Sequence, residues 1–329
     1  MIEDPDSKAL RPFDFSHLID NVPKIKMLDF EINHIQFDPP IDSSDMQPSN
    51  WANIAEQIKN NYYDYDGFVV LHGTDTMAYT ASALSFMLRN LYKPVIITGS
   101  QLPIGEVRTD GEENLITALQ IAAAKDPVDG LPMIREVAIL FENYLWRGNR
   151  ATKKSADNFN AFKSNNYPEL AKIGLGITFN RDALWRGKGP ELPLEVHYKM
   201  DRNVLYVDLF PGIKESVVRH MLNTPDIKGI VLKTFGAGNG PNDQWFIDAI
   251  KETVARGVVV VNITQCNNGS VHPFRYVTGL ELAHAGVVSG HDLTSEAAIT
   301  KLMYLLGLGL TPEEVKNYME YSLCGEMTC

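Results

Sequence analysis

The sequence contains no apolar run long enough to cross a membrane as a helix, which takes about 18 consecutive residues. Positive charge is also in deficit, because 30 Lys and Arg stand against 41 Asp and Glu and leave a net charge of −11. An acidic surface repels phosphate backbones. We therefore expect neither a nucleic acid nor a membrane as the partner of this protein.

Cysteine is scarce as well, and its scarcity excludes two further classes of protein. The number of cysteines is odd, and the three residues lack the spacing of metal ligands; they are Cys266, Cys324 and Cys329. A secreted domain held together by disulfides is therefore excluded, and a reducing, cytoplasmic location is favoured. The first six residues are acidic and lack the apolar centre of a secretory signal, in agreement with that location.

What the sequence does contain is an alternation of apolar, strand-like runs with segments of helical periodicity. This pattern predicts an α/β fold with parallel sheets, and 329 residues are enough for two domains. We place a larger N-terminal α/β domain at residues 1–185, a linker at 186–202 and a smaller C-terminal α/β domain at 203–329. Residues 155–200 look irregular. Two short elements complete the prediction, a helix near residues 14–20 and, from strict alternation, a strand at 30–37.

The most informative stretch is His72-Gly73-Thr74-Asp75-Thr76-Met77. The apolar run 67–71 before it predicts a buried strand, and helical spacing follows from 78 to 91. Thr74 and Asp75 thus lie on the turn between a strand's carboxyl end and a helix's amino end, where ligands bind in open α/β sheets. Helix capping alone needs one such polar residue, and three are present.

Other polar residues follow predicted strands and are expected at the same edge of the sheet. They are Ser43, Ser44, Ser100 and, in the basic loop 146–154, Lys153. A hydroxyl needs a neighbouring base to act as a nucleophile, and a lysine beside an aspartate can relay a proton. A group of Thr74, Asp75 and Lys153 would therefore suit acyl transfer, although Lys153 considered alone would be a solvated surface lysine.

Three other patterns give weaker indications of function. Residues 236–240 are glycine-rich, but Pro241 stands where a dinucleotide-binding loop has its third glycine, so no nucleotide cofactor is predicted. His72 could act as a base, yet a packed histidine at a strand end is the more common role. The remaining histidines considered lack ligand spacing, so no metal site is predicted; they are His272, His284 and His291.

Together these motifs resemble the bacterial cytoplasmic type I L-asparaginases. Residues 72–81 are similar to that family's second signature, and the similarity extends over nearly the whole chain in the same order. The other matching segments are 42–46, 98–101, 147–153 and 261–266. The resemblance implies the two-domain asparaginase fold and hydrolysis of L-asparagine to L-aspartate and ammonia without a cofactor. It also implies a homodimer or homotetramer.

The resemblance assigns roles to individual residues. Thr74, Asp75 and Lys153 match the family's Thr-Asp-Lys triad. Ser43 and Ser44 match residues that hold the α-carboxylate and the amino group of the substrate, and Asp75 would also bind that amino group.

A further substrate contact and a possible second site are implied in the same way. Ser100 falls near the side-chain amide of the substrate. Some cytoplasmic members bind a second asparagine between subunits, and the corresponding allosteric positions here are Thr152, Lys233, Asn239 and Cys266. Lys233 stands where those members have an arginine, and lysine cannot make a planar two-pronged contact with a carboxylate.

One family motif has no counterpart in these residues. The family carries Thr-Gly-Gly-Thr-Ile-Gly at the end of its first strand, with a nucleophilic threonine, and Met1-Ile2-Glu3 matches the residues just after it. We therefore expect the native chain to start upstream of Met1, and we expect little or no hydrolysis from a chain that starts there. Residues 8–12 also lack the family's mobile-loop tyrosine.

Two other functions stay open. One is the asparaginase-like subunit of the archaeal amidotransferase that makes glutaminyl-tRNA, although its extra N-terminal domain has no counterpart here and the acidic charge disfavours tRNA. The other is a degenerate paralogue that keeps the pocket of Ser43, Ser44 and Asp75 and binds an amino acid without turnover.

Overall fold

The chain folds into two compact units, each built around its own sheet with helices packed against it, as the computed structural model shows. The residues that the structure describes are 2–3, 10–11, 22–187 and 189–328. The N-terminal unit comprises Met1–Ser164 and Pro168–Val196, and the C-terminal unit comprises Asn165–Tyr167 and His197–Cys329. The predicted two-domain α/β fold is confirmed. No helix of the described residues is long and apolar enough to cross a membrane.

The N-terminal unit begins with short elements. Strand β1 (Ile2–Glu3) pairs antiparallel with β2 (Leu10–Arg11), and a 3-10 helix follows at Pro23–Met27. The strand predicted at residues 30–37 was wrong, because this segment pairs with no strand in the described part of the chain and Ile35 is 63% exposed. Alternating side chains form a strand only where a ladder partner and a buried face are available. The helix predicted near residues 14–20 lies outside the described residues.

The centre of the N-terminal unit is a six-stranded sheet. Its strands follow the order β11-β10-β7-β6-β5-β3. The strands of this unit, along the chain, are β3 (Phe68–Leu71), β4 (Leu88–Arg89), β5 (Val95–Thr98), β6 (Val137–Phe141), β7 (Tyr144–Arg147), β8 (Ala151–Lys153), β9 (Phe162–Ser164), β10 (Ala171–Ile173), β11 (Ile177–Phe179) and β12 (Glu195–Val196). The predicted parallel pairing is confirmed for β3, β5 and β6, whereas β7, β10 and β11 extend the sheet in antiparallel fashion.

The described residues of this unit contain the helices α1 (Pro48–Asn60), α2 (Met77–Met87) and α3 (Gly111–Ala123). Apart from Tyr79, every residue of α2 is buried. A helix that is enclosed on all sides cannot tilt or slide without opening a cavity in a close-packed interior. The turn at the N-terminal end of α2, which carries Thr74 and Asp75, is therefore held at a fixed place.

Residues 146–154 are not the loop that the sequence predicted, because all but Lys154 belong to β7, a 3-10 helix and β8. Arg147 ends β7 and is buried against Glu136, with Nε 2.6 Å from Oε2. A 3-10 helix, Gly148–Arg150, leads into β8. The charged segment is buried because a carboxylate compensates its first arginine.

The prediction of irregular structure at 155–200 was wrong for β9, β10, β11 and β12. These strands are only two or three residues long. Such short elements show no hydrophobic periodicity that a sequence pattern could reveal.

The C-terminal unit contains a parallel sheet of four strands in chain order. They are β13 (Val204–Asp208), β14 (Gly229–Thr234), β15 (Val259–Thr264) and β16 (Val288–Ser289). Its helices are α4 (Glu215–Leu222), α5 (Gln244–Ala255), α6 (Val277–His284), α7 (Ser295–Gly307) and α8 (Pro312–Met319). The alternation of these strands and helices confirms the α/β organisation that the sequence predicted for this part of the chain.

Candidate active site

The three predicted catalytic residues, Thr74, Asp75 and Lys153, meet at the turn between β3 and α2. The Lys153 ammonium donates hydrogen bonds to Thr74 Oγ1 at 2.8 Å and to Asp75 Oδ1 at 2.7 Å. Lys153 is 79 residues from Thr74 in sequence, so only the tertiary fold can produce this contact. The predicted convergence of a hydroxyl, a carboxylate and an ammonium is therefore present in the structure.

The exposure of this pair differs sharply between its two members. The Lys153 side chain is 19% exposed, whereas the Asp75 side chain is 65% exposed. A carboxylate that faces solvent can attract a cationic group from outside, while the lysine beneath it keeps its contact with Thr74. Such an arrangement can hold a proton next to a hydroxyl and also bind an ammonium group of a ligand.

Lys153 reaches this position by a route that the sequence did not predict. It ends β8, which pairs with β9 in a separate hairpin rather than joining the central sheet. The preceding 3-10 helix packs closely on β6 and α2, because a Cβ at Gly148 would lie 2.9 Å from the carbonyl oxygen of Val137 and 3.0 Å from Ala81 Cβ. Glycine at 148 therefore permits the approach that aims Lys153 at Thr74.

The two serines also differ from the prediction in their local structure. Ser43 and Ser44 lie in a 3-10 helix, Ser43–Asp45, and not at the end of a strand. Asp42 Oδ1 accepts hydrogen bonds from both the amide and the hydroxyl of Ser44, each at 2.9 Å. Local capping by Asp42 thus orients the turn, a short-range effect that leaves no strand pattern in the sequence.

Ser43 nevertheless lies beside the central turn. The Thr76 hydroxyl donates to the Ser43 carbonyl oxygen at 2.6 Å. A Cβ at Gly73 would lie only 2.5 Å from Oγ and 2.8 Å from Cβ of Ser43, so glycine is required where the turn meets this side chain. Ser43 therefore lies against Gly73, the residue that directly precedes Thr74.

Ser100 follows β5, the neighbour of β3 in the sheet, where Thr98 is paired with Leu71. Its loop is fixed by Asp110, whose carboxylate accepts the amide hydrogens of Gln101 at 3.0 Å and Leu102 at 3.1 Å. Ser100 is half-buried and shares the sheet edge with Thr74, without a hydrogen bond to it among the described residues.

Two residues that hold this loop were not identified from the sequence. One is Asp110, whose buried carboxylate holds the loop that follows Ser100. The Gln101 side chain donates to the carbonyl oxygens of Ala156 and Asn158, each at 3.1 Å, and so ties that loop to the segment after Lys153. Neither contact has a sequence signal, because the Asp110 contacts span eight and nine residues and the Gln101 contacts span 55 and 57, which no helix or strand periodicity connects.

His72 is the packed strand-end histidine that the sequence favoured. Its ring is buried and is hydrogen-bonded to the Gly73 carbonyl oxygen and to the Thr80 hydroxyl. Burial lowers the pKa of His72, although the hydrogen bond to Gly73 acts in the opposite direction. His72 makes no hydrogen bond to Thr74, Asp75 or Lys153 within the described residues.

The residues of the predicted second site fall in both units. Lys233 near the end of β14, Asn239 in the loop after it and Cys266 after β15 lie at one edge of the C-terminal sheet. Asn239 Oδ1 accepts a hydrogen bond from Thr278 Oγ1 at 3.1 Å, and Cys266 is an exposed free thiol. Thr152 belongs to β8 of the N-terminal unit. No group of three metal-ligating side chains that could hold an ion occurs among the residues described.

Comparisons with known proteins agree on one family. A family profile described as "Asparaginase, N-terminal" matches residues 1–185, and one described as "Glutaminase/Asparaginase C-terminal domain" matches residues 203–319. L-asparaginase 1 of Escherichia coli (strain K12) is 49% identical over 304 residues, which cover 92% of this chain and 86% of that protein.

A solved structure and a more distant relative complete these comparisons. The crystal structure of L-asparaginase I from Vibrio cholerae superposes with a TM-score of 0.89 at 42% identity, covering 100% of this chain and 96% of that one. A glutamyl-tRNA(Gln) amidotransferase subunit from Pyrococcus abyssi is 36% identical over 297 residues, which cover 87% of this chain and 65% of that protein.

Proposed function

The chain belongs to the asparaginase family, and from that premise we propose that it hydrolyses the side-chain amide of L-asparagine to L-aspartate and ammonia. The observation that carries the proposal is the contact of the Lys153 ammonium with Thr74 Oγ1 at 2.8 Å and with Asp75 Oδ1 at 2.7 Å. A hydroxyl next to a carboxylate-supported lysine is the minimum equipment for acyl transfer.

In the proposed reaction the attacking hydroxyl, among the residues that the structure describes, is that of Thr74. Lys153 first passes a proton to the carboxylate of Asp75, 2.7 Å away, and becomes a neutral amine. The Thr74 oxygen then bonds to the amide carbon while its proton passes to that amine. The proton then moves to the departing nitrogen, which leaves as ammonia. Water cleaves the resulting ester, which releases L-aspartate and restores the hydroxyl.

Recognition of the rest of the substrate follows from charge. The exposed carboxylate of Asp75 attracts the α-ammonium group of an amino acid. The hydroxyls of Ser43 and Ser44 and the positive N-terminal end of α2 favour its α-carboxylate. Ser100, at the next strand end, is the proposed neighbour of the side-chain amide. We include a cytoplasmic location and a homo-oligomeric state in this proposal, the former supported by the exposed free thiol of Cys266.

The proposal is tested by ammonia release from L-asparagine and from L-glutamine. The assays use the protein as its own gene encodes it, so that any residues upstream of Met1 are present. We expect Thr74→Val to lower kcat by roughly 10³- to 10⁴-fold, as loss of a member of a catalytic group does. Thr178→Val, which changes an exposed strand threonine of β11, is the matched control and should leave kcat unchanged.

The same assay separates the two alternatives. A thermal shift with L-asparagine but no ammonia from the wild-type protein would support the degenerate amino-acid binder. Ammonia release that requires glutamyl-tRNA would support the amidotransferase subunit. Either result would overturn the proposed hydrolysis of free asparagine.

A further inference from the structure

The turn that carries Thr74 is backed by a buried chain of hydrogen bonds that the proposed reaction does not use. Trp51 Nε1 lies 2.9 Å from Thr80 Oγ1, and Thr80 Oγ1 lies 2.8 Å from His72 Nε2. At the other side of the imidazole, Nδ1 lies 2.6 Å from the carbonyl oxygen of Gly73. The chain therefore runs from α1 through α2 to the residue directly before Thr74.

The proton positions in this chain follow from what each group can do. A carbonyl oxygen only accepts, so His72 Nδ1 carries a hydrogen and donates it to Gly73. Burial disfavours a charged ring, which leaves Nε2 without a hydrogen and makes it an acceptor. The Thr80 hydroxyl must then donate to Nε2, while the indole N–H of Trp51 donates to the Thr80 oxygen. Each donor of this hydrogen-bonded series has one acceptor, and a single placement of the hydrogens satisfies all three contacts.

The end of the chain acts on the peptide that joins Gly73 to Thr74. A hydrogen bond to the Gly73 carbonyl fixes the plane of that peptide and hence the direction in which Thr74 leaves the turn. Ser43 closes off the α-carbon of Gly73, since a Cβ there would lie 2.5 Å from Ser43 Oγ. The peptide is thus held by an imidazole and by a serine, and Thr74 Oγ1 is 2.8 Å from Lys153 Nζ.

We propose that His72 is a positioning residue, whose Nδ1–H fixes the Gly73–Thr74 peptide and keeps the Thr74 hydroxyl within reach of Lys153. This inference rests on the proposed function and adds a residue that does not touch the substrate. A reacting group displaced by about 1 Å can cost roughly 10²-fold in rate. The expected signature is therefore a loss of kcat without a comparable change of KM.

Two substitutions separate the two nitrogens of the ring. In His72→Asn the side-chain amide nitrogen takes the place of Nδ1 and can still donate to Gly73. In His72→Gln the longer side chain places its amide near the position of Nε2, where it can meet Thr80 but cannot donate to Gly73. Both variants remove the imidazole and introduce a carboxamide, so each is the control for the other.

We expect His72→Asn to keep kcat within several-fold of the wild type and His72→Gln to lose roughly 10²-fold at similar KM. Activities are compared per folded protein, measured by thermal unfolding under the assay conditions. A role in packing alone would lower the folded fraction and leave the kcat of the two variants alike. Equal kcat values for the two variants would overturn the positioning role.

A measurement on the wild-type protein makes the inference independent of whether the variants fold. Nitrogen-15 NMR of histidine-labelled protein should show His72 protonated at Nδ1 and unprotonated at Nε2 at neutral pH. The opposite tautomer, or a doubly protonated ring, would overturn it. A wild-type protein that releases no ammonia would overturn the proposed function together with this role, whereas an active wild type with equal variants would overturn the role of His72 alone.

Discussion

Two lysine–carboxylate pairs in this protein have nearly the same geometry and opposite surroundings. Lys153 and Asp75 are 2.7 Å apart in the N-terminal unit, and Lys301 and Glu326 are 2.8 Å apart in the C-terminal unit. The first pair is 19% and 65% exposed, whereas the second pair is 0% exposed on both sides. Distance alone therefore does not show what an ion pair is for.

Both side chains of the pair in the C-terminal unit are fully enclosed by protein. Lys301 also donates to the backbone carbonyl oxygens of Met319 and Tyr321, and Glu326 also accepts the amide hydrogen of Cys324. Burial by itself would raise the pKa of Glu326, but the charge of Lys301 and these hydrogen bonds outweigh it and lower that pKa. The polar groups are satisfied inside the protein, so this pair fastens the C-terminal segment to α7.

The pair in the N-terminal unit is open. Lys153 has Thr74 and Asp75 as its partners, and the Asp75 carboxylate faces solvent. Exposed ion pairs contribute only about 0–1 kcal/mol to stability. The contrast indicates that the open pair, Lys153 and Asp75, contributes little to stability and is well placed to bind a ligand. Variants of the two pairs should therefore affect different properties of the protein.

The largest effect is expected when Lys153 is removed. Lys153→Met should lower kcat for asparagine by roughly 10³- to 10⁴-fold, because Thr74 loses its proton acceptor. The free energy of unfolding should change by less than about 1 kcal/mol. The neighbouring exposed lysine provides the control, since Lys154→Met should leave kcat unchanged. Ammonia release and urea unfolding measure the two quantities, and a stability loss that accounts for the activity loss would contradict the prediction.

Removal of Lys301 should give the reverse pattern. Lys301→Met leaves Glu326 buried without its counter-charge, which should lower the free energy of unfolding by about 3–5 kcal/mol. The kcat per folded protein should stay at the wild-type value. The double variant Lys301→Met with Glu326→Met should recover most of the stability, because an apolar pair replaces the ionic one. Urea unfolding that shows equal losses in the single and double variants would refute this explanation.

A smaller effect is expected at the contact between Gly73 and Ser43. Gly73→Ala forces Ser43 to move, since the new Cβ would lie 2.5 Å from its Oγ, and should cost about 1–3 kcal/mol of stability. We also expect KM for asparagine to rise roughly tenfold, equivalent to about 1.4 kcal/mol of binding. Gly174→Ala is the control, because nothing lies within 4 Å of its added Cβ. Similar KM values for the two variants would show that Ser43 does not bind substrate.

The smallest effect concerns pH. The pKa of Glu326 in the folded protein is lower than its ordinary value of 4.5, so the unfolded chain binds the proton more readily. The resulting stability is complete above that ordinary value and is lost as the pH falls through the lowered pKa. Unfolding free energy should therefore fall less steeply with acid in Glu326→Gln than in the wild type. Parallel curves for the two proteins would exclude this contribution.

The strand–turn–helix around Thr74 could be predicted from the sequence because its signals are local. The continuous apolar run before Gly73 and the helical spacing after Thr76 require no knowledge of partners. A local signal was misleading at residues 30–37, where side chains alternate but no strand among the described residues pairs with the segment. The basic segment containing Arg147 was misjudged because its buried partner, Glu136, lies 11 residues earlier, just before β6.

The candidate site was predictable as a set of residues but not as a geometry. Resemblance and strand-end reasoning named Lys153, yet the hairpin that delivers it was invisible to periodicity. The supports behind the site, Asp110 and His72, act through hydrogen bonds to backbone atoms, which any sequence could supply. Hydrogen bonds to backbone atoms leave no pattern of residue types, so these contacts are found only when the coordinates are known.

The most direct test of the open pair is a crystal structure of the native protein with L-aspartate, the product of the proposed reaction. We expect the α-carboxylate at Ser43 and Ser44, the amino group at Asp75, and the side-chain carboxylate beside Thr74 with Lys153 still in contact. Aspartate bound elsewhere, or a Lys153 ammonium turned away from Thr74 and Asp75 while the ligand is in place, would contradict the proposed site.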